Sequence, residues 1–137
     1  MKCIELANIY NLKTKNKDNI SDDDRIKIIR DLIHPKKYLS FQKKQDLVLD
    51  ILNKVVDISD DGQLLYNSCE KYVLFIITLL SIYTDLDIDE KSYDVLCSNY
   101  ILNYTMASLG SEYDICLGIM EMYIDDLEHN RIKLRKS

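Results

Sequence analysis

The sequence predicts an all-α fold: a compact bundle of five to seven helices around a central apolar helix at about residues 64–84. Glycine occurs three times and proline once in 137 residues, and so few helix breakers favour helices over a sheet with many tight turns. Apolar residues recur at helical spacing in several segments. At this length we expect one domain, residues 1–137, because two smaller domains would each bury little core.

The first two helices are predicted from apolar spacing and from the residues at their ends. A short helix covers about residues 4–12, and the polar segment KTKNKDN after it is a loop. Ser21 is followed by three aspartates, a pattern typical of an N-cap and of an acidic first turn that suits the helix dipole. Pro35 ends the second helix, because the residue before a proline is disfavoured in the α conformation.

The third helix is predicted over about residues 41–56, with Ser40 as its N-cap. Apolar residues at helical spacing place one face towards the core. The charged residues of this helix are expected away from that face, namely Lys43, Lys44, Asp46 and Asp50.

The fourth helix, about residues 64–84, follows a turn at residues 57–62. It is apolar on nearly all sides, and a helix of that kind belongs in the centre of a domain. Its charge-free stretch, residues 72–84, is shorter than the roughly 20 residues that cross a bilayer. We therefore expect a core helix and no membrane association.

Residues 85–108 are predicted to contain two short helical segments. The first part, residues 85–96, has aspartates at positions one, three and five of a calcium-binding loop. It lacks the glycine at position six and the glutamate at position twelve, so we interpret it as a capped helix start. A helix follows over residues 90–98, and Asn99 breaks or kinks it before a second segment at residues 100–108.

The last helix is predicted to begin at Ser111, which forms a capping box with Asp114, after Gly110 stops the preceding segment. Its apolar stripe runs to Leu127. The basic tail, about residues 131–137, is expected to be frayed.

The four cysteines form no CxxC pair, so neither a zinc knuckle nor a thioredoxin-type site is predicted. Cys69, Cys97 and Cys116 stand among apolar residues of predicted helices, where reduced cysteine behaves as a small hydrophobe. We expect buried free thiols and therefore a reducing compartment.

No residue pattern predicts a catalytic, cofactor-binding or metal site. The two histidines are His34 and His129, and Asp125 lies one helical turn before His129. Two ligands do not form a metal site, and the helix dipole explains a histidine at a helix C-terminus more simply. Phosphate-binding glycine motifs are missing, and no nucleophile with a base can be nominated. We expect a protein that is not an enzyme and holds no cofactor.

Charge is distributed unevenly. Residues 1–46 carry a net charge of +4, residues 47–130 carry −13, and residues 131–137 carry +4. Phosphate repulsion by the acidic middle argues against direct nucleic-acid binding. The simplest interpretation is a solvated acidic surface. Two others stay open: head-to-tail contacts between copies, and an acidic surface that occupies the groove of a nuclease.

Tyr93, Tyr100 and Tyr104 recur, with Cys97 between the first two, at intervals of four, three and four residues. On one helix these residues would form a stripe along one side. Core packing with hydroxyls at the rim is one interpretation. A docking face is the other, because tyrosine is enriched at protein interfaces. We therefore name these three tyrosines as the candidate interaction face.

Several segments occur in a characteristic order: KYLSF at residues 37–41 followed by Lys43 or Lys44, YTDL at 83–86, Tyr93-Asp94-x-Leu96, Met122 and Asp125-Asp126. This order, over roughly residues 36–130, resembles a family of small proteins from tailed bacteriophages of low-GC bacteria. Ser40 stands where that family commonly has proline, and Ser98-Asn99-Tyr100 where it usually has an Asn-Gly break. The resemblance implies a phage gene product and assigns no site residues.

These observations predict a non-enzymatic phage structural or assembly protein. It would contact capsid, connector or tail subunits, or further copies of itself, in the host cytoplasm or as part of the virion. The alternative is an early phage inhibitor of a host defence or nucleic-acid enzyme that acts through its acidic surface.

Overall fold

The computed structural model describes residues 1–134, which contain seven α-helices and one β-hairpin. In chain order the helices are α1 (Cys3–Thr14), α2 (Asp22–Ile33), α3 (Phe41–Val55), α4 (Ser68–Tyr83), α5 (Glu90–Ser98), α6 (Leu102–Ala107) and α7 (Ser111–Glu128). The hairpin pairs β1 (Asp57–Ile58) with β2 (Leu64–Leu65) in antiparallel fashion. The predicted all-α class is confirmed.

The core forms where α3 packs between α4 and α7, and α1 closes the bundle by packing on α2 and α5. The buried side of α4 carries Phe75, Ile76, Leu79 and Leu80, each at most 1% exposed. Fully burying an aliphatic or aromatic side chain stabilises a fold by roughly 1.5–3 kcal/mol, so each of these four residues contributes to the stability of the bundle.

The predicted helix starts at Ser21 and Ser40 are present, and the capped helix start predicted within residues 85–96 has Asp89 as its N-cap. The Ser21 hydroxyl accepts a hydrogen bond from the Asp24 N–H at 3.1 Å, and Ser40 accepts one from the Lys43 N–H at 3.2 Å. Asp89 and Ser92 form a reciprocal capping box at the start of α5. Caps of this kind typically contribute about 1 kcal/mol each, which explains why these three boundaries follow from the sequence.

The start of α4 differs from the prediction, because residues 64–65 pair with residues 57–58 instead of joining the helix. Gly62 turns the chain with a φ of +85°, a conformation open to glycine without strain. The side chain of Asn67 then caps the N–H groups of Cys69 and Glu70 at 2.9 and 3.0 Å. This cap fixes the first helical residue four positions later than the apolar pattern predicts.

The capping box predicted at Ser111 and Asp114 is wrong. Gly110 is the N-cap of α7, with a φ of +64°, and no side chain caps this helix end. Ser111 is already the first helical residue. Glycine at the N-cap is tolerated because the turn before α7 requires a left-handed backbone.

The cysteines are free, as predicted, but only part of the burial prediction holds. Cys116 is buried, whereas Cys97 is half-buried and Cys69 is exposed in the first turn of α4. Cys3, which the apolar pattern did not single out, is buried against the chain around Asp87.

The tail starts with Arg131, whose guanidinium bonds Asp125 and Asp126 at 2.9 and 3.2 Å. Ile132 and Leu134 are partly buried against the core. The rest of the predicted frayed segment, residues 135–137, lies outside the described residues.

The break at Asn99 is present and takes the form of a Schellman motif. The Ile101 N–H bonds the Leu96 carbonyl and the Tyr100 N–H bonds the Cys97 carbonyl, both at 3.1 Å. This motif places its second-last residue in the left-handed region, usually as glycine. Here that residue is Tyr100, with a φ of +58° and 87% of its surface exposed.

Replacing Tyr100 with glycine is expected to stabilise the fold by about 1 kcal/mol, because the left-handed conformation costs a residue with a Cβ roughly that much. Chemical denaturation of wild type and Tyr100→Gly measures the difference. Tyr100→Ala is the matched control. It keeps the Cβ and should stay within about 0.5 kcal/mol of wild type. Equal stabilities of the glycine and alanine variants would contradict the assignment of strain to the backbone.

Candidate interaction surfaces

The three tyrosines predicted to share one helical face lie on three different elements. Tyr93 is on α5, Tyr100 is in the connector after it, and Tyr104 is on α6. The Schellman motif ends α5 and redirects the chain, so the helical spacing does not continue through Asn99. The three side chains therefore do not form a continuous stripe.

Tyr104 is used inside the molecule. Its hydroxyl donates a hydrogen bond to Asp22 Oδ1 at 3.1 Å, and the Arg25 guanidinium lies 6.0 Å from its ring centroid. The hydrogen bond to the Asp22 carboxylate raises the pKa of Tyr104. This residue ties α6 to the start of α2.

Tyr93 lines an open groove along the N-terminal half of α4, which we call the α4 groove. Its volume is about 740 Å³. Its apolar residues come from the end of α3, from α4, from the connector before α5 and from α5 itself: Val55, Val73, Leu74, Ile77, Ile88 and Tyr93. Val73, Leu74 and Ile77 are only half-buried, although the sequence predicts that α4 is covered on nearly all sides.

The rim of the α4 groove is predominantly acidic. Glu70, Asp89 and Glu90 line it together with one cation, Lys54. Hydrogen bonds from the backbone and hydroxyl of Ser92 lower the pKa of Asp89, so this carboxylate keeps its charge well into the acid range. Together these residues place an apolar floor beneath a negatively charged edge.

The polar tip of Tyr93 stays protonated within the groove. Burial, followed by the neighbouring Cys97 thiol, raises the pKa of Tyr93 to about 12.

Tyr100 lies at the opposite end of α5, and we call the exposed residues Leu12, Lys13, Lys15 and Tyr100 the knob. Asn11 at the end of α1 donates a side-chain hydrogen bond to Asn99 at 3.1 Å, which holds the two helix ends together. Leu12 is 72% exposed and Tyr100 is 87% exposed, and no other large hydrophobic side chain in residues 1–134 is as exposed as these two.

A buried polar cluster lies elsewhere in the bundle, between α3, α4 and α7. Lys44 Nζ is 2.8 Å from Glu112 Oε2, and both side chains are at most 5% exposed. Glu112 Oε1 also accepts hydrogen bonds from the Leu39 N–H at 2.9 Å and from the Tyr83 hydroxyl at 3.0 Å. The Tyr38 ring, whose centroid is 4.4 Å from Lys44 Nζ, covers the ammonium group from outside.

These contacts determine the protonation states in the cluster. Burial by itself would raise the pKa of Glu112, but the hydrogen bonds from Lys44, Leu39 and Tyr83 outweigh it, and the net pKa is lowered. Burial raises the pKa of Tyr83 far above its ordinary value. Burial likewise raises the pKa of Cys116, whose sulfur is 3.7 Å from the Tyr83 hydroxyl. The cluster therefore holds one ion pair with a neutral phenol and thiol beside it.

The position predicted for Lys44 is wrong, since its side chain is buried and does not face away from the core. The spacing of residues in α3 indicates that Lys44 lies on the apolar face, because Lys44 precedes Leu47, Val48 and Ile51 by three, four and seven residues. Glu112 likewise precedes Cys116 by one helical turn. A lysine and a glutamate that each continue an apolar stripe indicate a buried pair.

His129 caps the C-terminal end of α7, and its Nδ1 lies 2.8 Å from the Asp125 carbonyl oxygen and 3.3 Å from the Asp125 carboxylate. Within residues 1–134, no group of three or more histidine, cysteine or acidic side chains is arranged to hold a metal ion. In the same part of the chain, every helix is too short or too polar to span a bilayer.

No protein-family model matches the chain, and neither a curated protein nor a solved structure matches it. The resemblance to a phage family stays a prediction from the residues quoted above. The surfaces themselves therefore carry the argument about function.

Replacing Lys44 with methionine is expected to destabilise the fold by about 3–5 kcal/mol, because the Glu112 carboxylate is left buried without a counter-charge. Lys43→Met, at the exposed neighbouring position, is the control and should stay within about 0.5 kcal/mol of wild type. The double variant Lys44→Met/Glu112→Gln should lose less than the sum of its single variants. Additive losses in urea denaturation would show that the two side chains are not coupled.

The stabilisation from Glu112 is expected to depend on pH. Its folded pKa lies below the ordinary value of 4.5, so the stabilisation is complete above that pH and is lost as the pH falls through the folded value. The difference in free energy of unfolding between wild type and Glu112→Gln should therefore shrink as the pH falls below 4.5. A difference that stays constant from neutral to strongly acid pH would contradict this account.

Proposed function

We propose that this protein is a non-enzymatic structural or assembly protein of a tailed bacteriophage. It acts through protein–protein contacts with capsid, connector or tail subunits or with further copies of itself. The observation that carries this proposal is the α4 groove, an apolar surface that the bundle leaves uncovered on its most apolar helix.

The energetics of the groove favour an occupant. Leu74 and Ile77 pack against the buried core, so binding a partner orders few additional groups. Removing apolar surface from water contributes about 25 cal/mol per Å². A groove of about 740 Å³ can accept several side chains of a partner, and this suits a contact between proteins.

The acidic rim also bears on the alternative, in which the protein inhibits a host nucleic-acid enzyme by occupying a basic groove. Such an inhibitor would present carboxylates over a broad face. In the α4 groove the carboxylates surround an apolar floor, which favours a partner that inserts apolar side chains.

Leu74→Glu is expected to abolish capture of phage virion proteins by the tagged protein in infected cells, because it places a charge on the groove floor. The captured proteins are identified by mass spectrometry. Ile115→Glu, the same kind of change at an exposed position of α7 outside the groove, should leave capture unchanged. Circular dichroism before the assay establishes that both variants are folded.

Should Leu74→Glu not fold, the groove can be blocked in the folded protein. Cys69 is exposed and lines the groove, so a bulky maleimide on Cys69 in a Cys97→Ser background tests the same surface. Capture of virion proteins that survives this block would contradict the proposal. Capture of a host nucleic-acid enzyme with no virion protein would replace it with the inhibitor.

A further inference from the structure

We infer that the knob of a second copy of this chain occupies the α4 groove, so that copies join head to tail. This inference rests on the proposed function, in which the groove is a protein contact, and it names the partner.

The first argument is the exposure of the knob. Leu12 and Tyr100 lie next to Asn11 and Asn99, whose side chains are hydrogen-bonded, so both project from the same end of the molecule. Leu12 and Tyr100 are the two most exposed large hydrophobic side chains of residues 1–134, and each directly follows one asparagine of the hydrogen-bonded pair. Tyrosine is among the residues that most often dominate binding energy at interfaces.

The second argument is the backbone at Tyr100. A tyrosine in the left-handed conformation destabilises the fold relative to glycine, and its side chain, 87% exposed, packs on little within the chain. Sparsely populated backbone conformations cluster at ligand-binding and switch regions. A contact with another molecule supplies the packing interactions that the Tyr100 side chain lacks in the isolated chain.

Charge complementarity identifies the partner. Lys13 and Lys15 are the charged residues of the knob, and among the described residues neither forms an ion pair. The groove rim carries Glu70 and Glu90, which likewise form no ion pair within residues 1–134. The knob combines apolar residues with lysines, and the α4 groove combines an apolar floor with an acidic rim. The two surfaces are complementary in charge, and both are present on this chain.

The positions of the knob and the α4 groove require that this contact forms between two different copies. Cys3 at the start of α1 contacts the Asp87 carbonyl oxygen just before α5, and Asn11 near its end bonds Asn99 just after α5. The two helices therefore run side by side in the same direction. The groove is at the N-terminal end of α5 and the knob is at its C-terminal end, about 13 Å apart at 1.5 Å per residue.

Because the two surfaces lie at opposite ends of one rigid helix, a knob cannot reach the groove of its own chain. A contact between two different patches is heterologous, and it propagates into a ring or a filament. Wild type should therefore form species larger than a dimer as its concentration rises. Added salt should weaken the association, because the rim contacts are charged and exposed.

Complementary variants provide the decisive experiment, with mass measured by analytical ultracentrifugation. Leu12→Glu/Tyr100→Glu breaks the knob and keeps the groove, while Leu74→Glu breaks the groove and keeps the knob. Each variant alone should be monomeric. An equimolar mixture should form a species of two chains and nothing larger, because only one intact knob and one intact groove remain to pair.

Two controls sharpen the result. Ile115→Glu/Met122→Glu alters two exposed apolar residues of α7 and should associate as wild type does. Tyr100→Gly should weaken self-association at least about tenfold while stabilising the fold, which separates the role of the side chain from folding. If Leu74→Glu does not fold, the maleimide on Cys69 in the Cys97→Ser background takes its place.

Wild type that stays monomeric at every accessible concentration would overturn the inference, and so would a mixture that does not pair. If wild type does not self-associate but the groove variants still fail to capture virion proteins, the proposed function stands. A virion protein then occupies the α4 groove in place of the knob. If the complementary variants pair but no virion protein is captured, the head-to-tail contact stands and the proposed contact with capsid, connector or tail subunits fails.

Discussion

The ion pair between Lys44 and Glu112 fixes how the helices of this bundle meet. Both charges are buried, and each unpaired charge would cost several kcal/mol, so α3 and α7 must align with these two residues in contact. The same carboxylate accepts hydrogen bonds from Leu39 and Tyr83, which ties the loop before α3 and the C-terminal end of α4 to one point. A single satisfied cluster thereby sets the relative positions of three helices.

That anchor also explains where the open surface lies. Tyr83 holds the C-terminal end of α4 in the core, whereas the N-terminal half of the helix follows a small hairpin and is flanked by the end of α3 and the start of α5. Those neighbours leave Val73, Leu74 and Ile77 half-buried. The most apolar helix is thus well packed at one end and bounded by an open groove at the other, which is the arrangement expected of a binding surface supported by a rigid core.

Local signals account for the parts of the fold that follow from sequence. Ser21, Ser40 and Asp89 start helices because their side chains satisfy nearby backbone N–H groups, and that chemistry acts within three residues. The break at Asn99 follows from similarly local contacts. The capping box at Ser111 fails because the backbone before α7 turns through Gly110, which places Ser111 inside the helix. The stripe of tyrosines fails because Tyr100 ends one helix.

The helical class, most helix starts and the apolar character of α4 can be predicted from the sequence, because these features depend on residues close together in the chain. The burial of Lys44, the hydrogen bond from Tyr104 to Asp22 and the uncovered side of α4 result from how the helices pack together. Each of those outcomes involves contacts between residues far apart in sequence. Helical periodicity shows which face of a helix is apolar, but whether a neighbouring helix covers that face depends on how the whole bundle packs.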